Sequence, residues 1–144
     1  MAQAVEDEAV RRKAIAVAHW HLEALARRAE VIRAFREIKD ISRALEGFWI
    51  VLESCLAYLE GRTLTQKDLV ARATGTVSPA TISRTIQDIV DEGWIATEPA
   101  ADARVQRLVP TEQAIQYYMS RVEEAWSVFY EIGQQATRLD NRKL

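Results

Sequence analysis

The sequence predicts a mainly α-helical protein with one small β-hairpin, in which long helices flank a compact centre. Three observations lead to this fold class. Apolar residues recur at spacings of three and four along most of the 144 residues, as they do on one face of a helix. Neither proline nor glycine interrupts the first of these patterns, between Ala4 and Leu45. After Gly93 the apolar period changes to two over a short stretch, which indicates a pair of strands.

The composition is that of a single domain that can bury a proper core, since 49% of the residues are apolar and 28% are charged. No apolar run approaches the roughly 20 residues that cross a bilayer, and the first residues lack an apolar signal core. We therefore expect a cytoplasmic protein with no membrane partner. Cys55 is the single cysteine, which excludes an internal disulfide and a cysteine-based zinc site.

The net charge of −2 limits how this chain could bind a nucleic acid. Residues 62–107 hold six basic and six acidic side chains, so no segment supplies a strongly basic field. Any binding to DNA must then depend on individually placed arginines, helix N-termini and dimer symmetry. We expect only modest affinity for DNA of arbitrary sequence.

Residues 4–45 predict a helix that would be about 60 Å long if it were continuous. One apolar stripe has a period of seven and contains Val10, Val17, Ala24, Val31, Ile38 and Leu45. A second stripe contains Ile15, Ala18, Leu22, Leu25, Ala29 and Ile32. A helix that is apolar on two sides must be covered on both, here by its own domain and by a second copy of the chain. A solitary long coiled coil is the alternative.

Gly47 is expected to break this first helix, and residues 48–59 then form another. The inward face of this helix is expected to carry Phe48, Val51, Leu52, Cys55, Leu56 and Leu59. Because Cys55 lies in the middle of that face, an inert buried thiol is favoured over a redox sensor, which needs exposure and a nearby positive charge.

A short helix follows the turn at Gly61. Thr65 and Asp68 have the spacing of a capping box, so this helix begins there and ends near Ala73. Residues 74–77 are a tight connection into a second helix. The order of helix, turn and helix is that of a helix-turn-helix motif.

The second helix of this motif spans residues 78–92, with Ser78 as its cap, Pro79 at its first position and Gly93 after its end. Its buried side is predicted to hold Ile82, Ile86, Ile89 and Val90. The opposite side presents Ala80, Thr81, Ser83, Arg84, Gln87 and Asp88. Short residues at the leading end and hydrogen-bonding ones behind it suit a helix that enters the DNA major groove. An ordinary amphipathic helix with a solvated face is the alternative.

A β-hairpin is predicted next, with strands over residues 94–97 and 104–109 and a loop over residues 98–103. Arg104 and Arg107 lie close together in the hairpin. An arginine held at its tip beside a major-groove helix would fall near the adjacent minor groove, where the potential is negative. A solvated hairpin with incidental arginines is the alternative.

Thr111 caps the last predicted helix, which carries a continuous packing seam. The seam alternates spacings of three and four and contains Ile115, Tyr118, Val122, Ala125, Phe129, Ile132, Ala136 and Leu139. Met119, Trp126 and Tyr130 widen this seam into an aromatic-rich band. So broad an apolar surface calls for more partner surface than one small domain offers.

Three stretches of the sequence are specific enough to compare with known families: LTQKDLVARA at residues 64–73, SPATISRTIQDIVDEGWI at residues 78–95 and DARVQRLVPTEQA at residues 102–114. Together they resemble the MarR family of winged-helix transcription regulators. The resemblance implies a winged helix-turn-helix over residues 47–110, flanked by dimerisation helices over residues 1–46 and 111–144.

The resemblance also implies a function, a homodimeric and sequence-specific DNA-binding regulator of a palindromic operator. Helix 78–92 would enter the major groove and the wing, residues 98–104, would reach the minor groove. The DNA-binding residues would be Ser78, Ala80, Thr81, Ser83, Arg84, Gln87 and Arg104. Asp102 and Arg107 would support the wing, and Asp88 would pair with Arg84 or accept from a cytosine amine. The dimer interface would include Val10, Val17, Ile115, Tyr118, Val122, Phe129 and Ile132.

Catalytic and metal-binding patterns are missing from the sequence. His19 and His21 are two positions apart and point in opposite directions on a helix, so they cannot share a metal ion. We find no phosphate-binding glycine loop and no paired catalytic carboxylates, and therefore expect neither an enzyme nor a cofactor. The resemblance allows a small-molecule effector of unknown identity, in a pocket lined by Trp20, Trp49, Tyr117 or Trp126, although these aromatics more often fill a core. A winged-helix module that binds proteins is the alternative function.

Overall fold

The structure is a computed structural model, and it describes Ala24, Ala34 and residues 41–141. This part of the chain forms helices α1 (Ile41–Glu60), α2 (Gln66–Arg72) and α3 (Pro79–Asp91), strands β1 (Ile95–Pro99) and β2 (Gln106–Pro110), and helix α4 (Glu112–Asn141). The expectations for Val10, Val17, Trp20, His19 and His21 lie outside the described residues.

The chain divides into two compact units, residues 31–120 and residues 1–30 with 121–144. The first of these contains α1, α2, α3 and the hairpin around one apolar core. Helices with a two-stranded antiparallel hairpin confirm the predicted fold class, a winged helix. None of the helices in the described ranges is long and apolar enough to cross a membrane.

Helix α1 runs straight through Gly47, so the predicted helix break at this position is wrong. Gly47 is buried, and the adjacent turns bury Ala44, Ile50 and Val51. A glycine within a helix costs only about 1 kcal/mol relative to alanine. Burial of the apolar side chains on either side of Gly47 outweighs this cost, so the helix continues.

The inward face of α1 also differs from the predicted one. Val51 and Cys55 are buried and Phe48 is half-buried, as expected, but Leu52, Leu56 and Leu59 are 36%, 46% and 54% exposed. Small residues occupy the core in their place, namely Ser54 and Ala57, together with Ile50. The Ser54 hydroxyl donates to the Val51 carbonyl at 2.7 Å, which satisfies the polar group in the core.

Both ends of α2 agree with the prediction. The Thr65 backbone N–H donates to Asp68 Oδ2 at 2.9 Å, and the Asp68 N–H donates to Thr65 Oγ1 at 3.3 Å, which confirms the capping box. The helix ends with Ala73 as its C-cap. Leu69 is fully buried and joins this short helix to the core.

Helix α3 has the predicted caps and the predicted buried side. Ser78 Oγ accepts from the Thr81 N–H at 3.2 Å, Pro79 occupies the first turn, and Gly93 follows the helix with a φ of 80°. The left-handed conformation suits glycine because it has no Cβ. Ile82, Ile86 and Ile89 are buried as predicted, whereas Val90 is only half-buried and Thr85 is buried in addition.

The hairpin pairs Ile95 with Pro110 and Glu98 with Arg107. The loop lies two residues later than predicted, since β1 continues to Pro99, β2 begins at Gln106, and the Ala100 N–H donates to the Val105 carbonyl at 2.9 Å. Arg104 therefore lies in the loop at the tip and not in the second strand, which corrects the predicted boundary. On the other side of β2, the Leu108 N–H donates to the Leu64 carbonyl at 2.8 Å and ties the hairpin to the start of α2.

Thr111 joins the hairpin to α4. Its hydroxyl oxygen accepts from the Ala114 N–H at 3.3 Å, as predicted for a cap, and donates to the Gly93 carbonyl at 2.6 Å. The ring of Tyr117 meets Trp94 edge-on at 5.4 Å, so the first turns of α4 pack on the core. Among residues 121–141, Trp126, Phe129 and Tyr130 are 63%, 56% and 57% exposed.

Two leucine truncations test which leucines hold the fold. Leu69→Ala removes a fully buried side chain and should lower the free energy of unfolding by about 2–5 kcal/mol. Leu59→Ala removes one that is 54% exposed and should change it by no more than about 0.5 kcal/mol. Urea denaturation followed by circular dichroism measures both. Equal losses would contradict the burial described for α1.

Candidate nucleic-acid interface

The outward side of α3 is a continuous polar surface. Ser78, Ala80, Ser83, Arg84 and Gln87 are exposed and Thr81 is half-exposed. These are the residues that the sequence placed opposite the buried isoleucines. Because Ile82 and Ile89 are at most 1% exposed, the helix cannot turn this surface inward without unburying them.

Most polar groups on this surface already have partners within the helix. Ser78 Oγ donates to Thr81 Oγ1 at 2.9 Å, and Gln87 Nε2 donates to Asp91 Oδ1 at 2.8 Å. Arg84 makes no hydrogen bond or ion pair with the described residues. Its guanidinium therefore carries unused donors at the centre of the surface.

Asp88 has a partner that the sequence did not indicate. The expected pair with Arg84 is absent, and Asp88 instead accepts from Arg43 of α1, 45 residues away in the chain. This corrects the predicted partner. Spacing within one helix can suggest a pair four residues apart, but no sequence signal identifies a contact between distant helices.

The wing tip holds Asp102 and Arg104 in a paired arrangement. Arg104 Nε and Nη2 donate to the two carboxylate oxygens of Asp102, each at 3.2 Å, and the Arg104 backbone N–H donates to Oδ1 at 3.1 Å. These bonds hold the pKa of the Asp102 carboxyl below its ordinary value. The Arg104 side chain is nevertheless 90% exposed, so its remaining donors face solvent.

Arg107 serves the hairpin itself. Its Nη2 donates to Glu98 Oε2 at 2.6 Å across the strand pair, in which these two residues are directly opposite. This is a bond between neighbouring strands, whereas Arg104 projects from the loop. The two arginines that the sequence placed close together thus have different surroundings.

This part of the chain has no excess of positive charge, since residues 41–120 hold seven basic and ten acidic side chains. Within residues 41–120, five arginines form ion pairs with acidic side chains: Arg43, Arg62, Arg72, Arg104 and Arg107. In the same range only Arg84 and Lys67 are basic residues with no such pair. A polyanion would therefore be bound by a few individual basic side chains and not by a broad positive potential.

Other chemistries have little support in the described residues. Cys55 is buried, and burial raises the pKa of its thiol, which agrees with the inert role expected for it. No cluster of three metal-ligating side chains occurs among residues 41–141. A cleft of about 200 Å³ between the end of α1 and β2 is lined partly by Arg62 and Arg107, which already pair with Glu60 and Glu98.

The aromatic residues considered for an effector pocket lie in different settings. Tyr117 packs on Trp94 beside the core, and Trp49 is half-buried against the same core. Trp126 is exposed and stacks with Phe129 at 6.2 Å. Trp20 lies outside the described residues.

Comparison with known proteins gives few matches. No family model matches this sequence, and no curated protein does so. Among solved structures, the chain is similar to the heme sensor protein PefR from Streptococcus agalactiae in complex with heme. The two share 19% sequence identity at a TM-score of 0.48, over 88% of this chain and 76% of that one.

The wing-tip pair should give Asp102 a measurable acid response. A carboxyl whose pKa is lowered in the folded state keeps its ion pair above its ordinary pKa of 3.8 and loses it as the pH falls below that value. Carbon-detected NMR of the Asp102 carboxyl should therefore show a midpoint below 3.8. Arg104→Ala should raise this midpoint toward the ordinary value, and Arg107→Ala should leave it unchanged. An unaltered midpoint in Arg104→Ala would show that the pair does not form.

Proposed function

We propose that this chain is a sequence-specific DNA-binding transcription regulator, in which α3 enters the major groove and the wing tip lies at the minor groove. The observation that carries the proposal is the unpaired, exposed guanidinium of Arg84 at the centre of a polar helix face. The mostly exposed Arg104 on the adjacent hairpin tip supports it. The resemblance of residues 64–73, 78–95 and 102–114 to MarR regulators points to the same function.

The leading end of α3 suits close approach to a base pair. Ser78 and Ala80 are short and exposed, so the helix N-terminus can approach a groove without steric conflict. Arg84 follows about one turn further on. An arginine in this position can donate two hydrogen bonds to guanine O6 and N7, which is the commonest specific contact in the major groove. Thr81, Ser83 and Gln87 add hydrogen-bond donors and acceptors on shorter side chains of the same face.

Arg104 would act on DNA shape and backbone. The loop over residues 100–105 is closed by a backbone hydrogen bond and by Asp102, so the guanidinium starts from a restricted position. A narrow minor groove attracts such a side chain through its enhanced negative potential. Asp102 would orient the arginine, and Arg107 would hold the strands that present it.

A dimer would supply the second half of the interface. We assign it to the terminal regions, residues 1–46 and 111–144. The exposed Trp126, Phe129 and Tyr130 show apolar surface that remains to be covered in residues 121–141. The seam residues Ile115, Tyr118, Val122 and Ile132 are half-buried, and Phe129 is exposed. Two-fold symmetry would require a palindromic operator with half-sites about one helical turn apart.

The second candidate function is a winged-helix module that binds another protein. Two observations favour it: residues 41–120 hold seven basic and ten acidic side chains, and Leu52, Leu56 and Leu59 are exposed on α1. The two functions differ in their response to salt. Phosphate contacts weaken steeply as salt rises, whereas an apolar protein interface changes little. Neither function requires a catalytic step or a cofactor, and both suit a cytoplasmic location.

Selection of bound duplexes from a random pool, followed by binding measurements on variants, tests the proposed function. The wild-type protein should enrich a palindrome. Arg84→Ala should weaken binding to that duplex by about 1–3 kcal/mol per half-site and relax the preference for one base pair. Arg104→Ala should weaken binding to all duplexes by similar factors.

Arg62→Ala is the matched control, because Arg62 is also an exposed and ion-paired arginine but lies in the loop after α1. It should bind like the wild type. If the pool yields no enriched duplex, or if neither Arg84→Ala nor Arg104→Ala alters affinity, the assignment of α3 and the wing to DNA is wrong.

A further inference from the structure

Helix α1 forms ion pairs of opposite polarity with both helices of the helix-turn-helix. Arg43 of α1 donates to Asp88 of α3, and Glu53 of α1 accepts from Arg72 at the end of α2. The partners are 45 and 19 residues apart in the chain. One scaffold helix therefore contacts both helices of the motif through charged groups.

The pair on α3 is next to the residue that would read DNA. Asp88 follows Arg84 by four positions, and residues with this spacing are neighbours on a helix surface. An arginine and an aspartate at this spacing are within reach of an ion pair. They do not form one here, since Asp88 accepts from Arg43 and Arg84 is left without a partner among the described residues.

Loss of Arg43 would change this arrangement. The Asp88 carboxylate would then lack its partner while the free guanidinium of Arg84 lies one turn away on the same helix. Pairing of these two groups would occupy donors that Arg84 needs for a guanine. Whenever the two groups do not pair, the Asp88 charge would remain uncompensated on the helix face that would approach the DNA phosphates.

The surroundings of the pair argue against a role in stability alone. The side chains of Arg43 and Asp88 are 35% and 37% exposed, and ion pairs of such exposure are screened by solvent. The apolar contacts of Ile82, Ile86 and Ile89 already hold α3 on the core. The effect of the pair is to fix the hydrogen-bond partner of the Asp88 carboxylate, which accepts from Arg43.

We propose that Arg43 is a positioning residue for DNA recognition, which acts by binding Asp88 and so keeps Arg84 free to contact a base. This inference rests on the DNA-binding function proposed above. It assigns a recognition role to a residue on α1, outside the helix-turn-helix and the wing.

The test compares single and double variants on the selected duplex and on a scrambled one. Arg43→Ala should lower the ratio of the two affinities by about tenfold per half-site, within the range expected for Arg84→Ala. Adding Asp88→Asn to Arg43→Ala removes the competing carboxylate and should restore the ratio to within about twofold of the wild type. In the Arg43→Ala background, Arg84→Ala should have little further effect, because the two changes act on the same contact.

Arg62→Ala is again the matched control, since its side chain has the same 35% exposure as that of Arg43 and its ion pair with Glu60 does not touch α3. It should leave the ratio unchanged. A purely structural role for Arg43 predicts a different result, in which Arg43→Ala lowers the unfolding midpoint and Asp88→Asn does not restore selectivity. That result would overturn the inference, as would full selectivity in Arg43→Ala.

A measurement without DNA separates this inference from the proposed function. The side-chain Nε–H resonance of Arg84, followed by NMR, should shift in Arg43→Ala and return in the double variant with Asp88→Asn. A wild-type protein that selects no duplex would refute the proposed function and with it the role in recognition. An unchanged Arg84 resonance would refute the inference alone, whatever the protein binds.

Discussion

The burial of one side of α3 is the constraint on which the rest of this structure depends. Ile82 and Ile89 are almost completely withdrawn from solvent, and Thr85 joins them with its hydroxyl donating to the Thr81 carbonyl at 2.9 Å. Because residues on one side of α3 are buried in three successive turns, the opposite side of the helix must face outward. The exposure of Arg84, the approach of α1 and the attachment of the hairpin beyond Gly93 all follow from this orientation.

The charged side chains around that core are mostly engaged with one another. Some pairs are local, such as Arg104 with Asp102, and others join separate elements, such as Arg43 with Asp88. Neutralised arginines contribute little to attraction at long range. A surface of this kind gains selectivity from a few placed donors, and this is consistent with a chain whose net charge is −2. Arg84 differs from the other arginines of residues 41–120 because all of those form ion pairs with acidic side chains.

Predictions from the sequence are correct where the governing contacts are close in the chain. The capping box of Thr65 and Asp68, the Ser78 cap and the turn at Gly93 each depend on groups within a few residues of each other. The predictions are wrong for α1, where Gly47 was expected to end a helix and Leu59 to face inward. Apolar periodicity identified α1 but not its buried side, because the core there is filled by Ser54 and Ala57. Leu52, Leu56 and Leu59, which dominate the apolar pattern of α1, lie outside the core.

The sequence by itself therefore determined the order of the helices and the hairpin, the ends of α2 and α3, and the side of α3 that faces outward, because local hydrogen bonds and helical periodicity specify these features. Tertiary structure alone decided which side of α1 enters the core, where Arg104 lies in the wing, and that Asp88 binds Arg43. The physical reason is distance along the chain. Packing and ion pairing between elements depend on side chains many positions apart, whose meeting is fixed only once the core has formed.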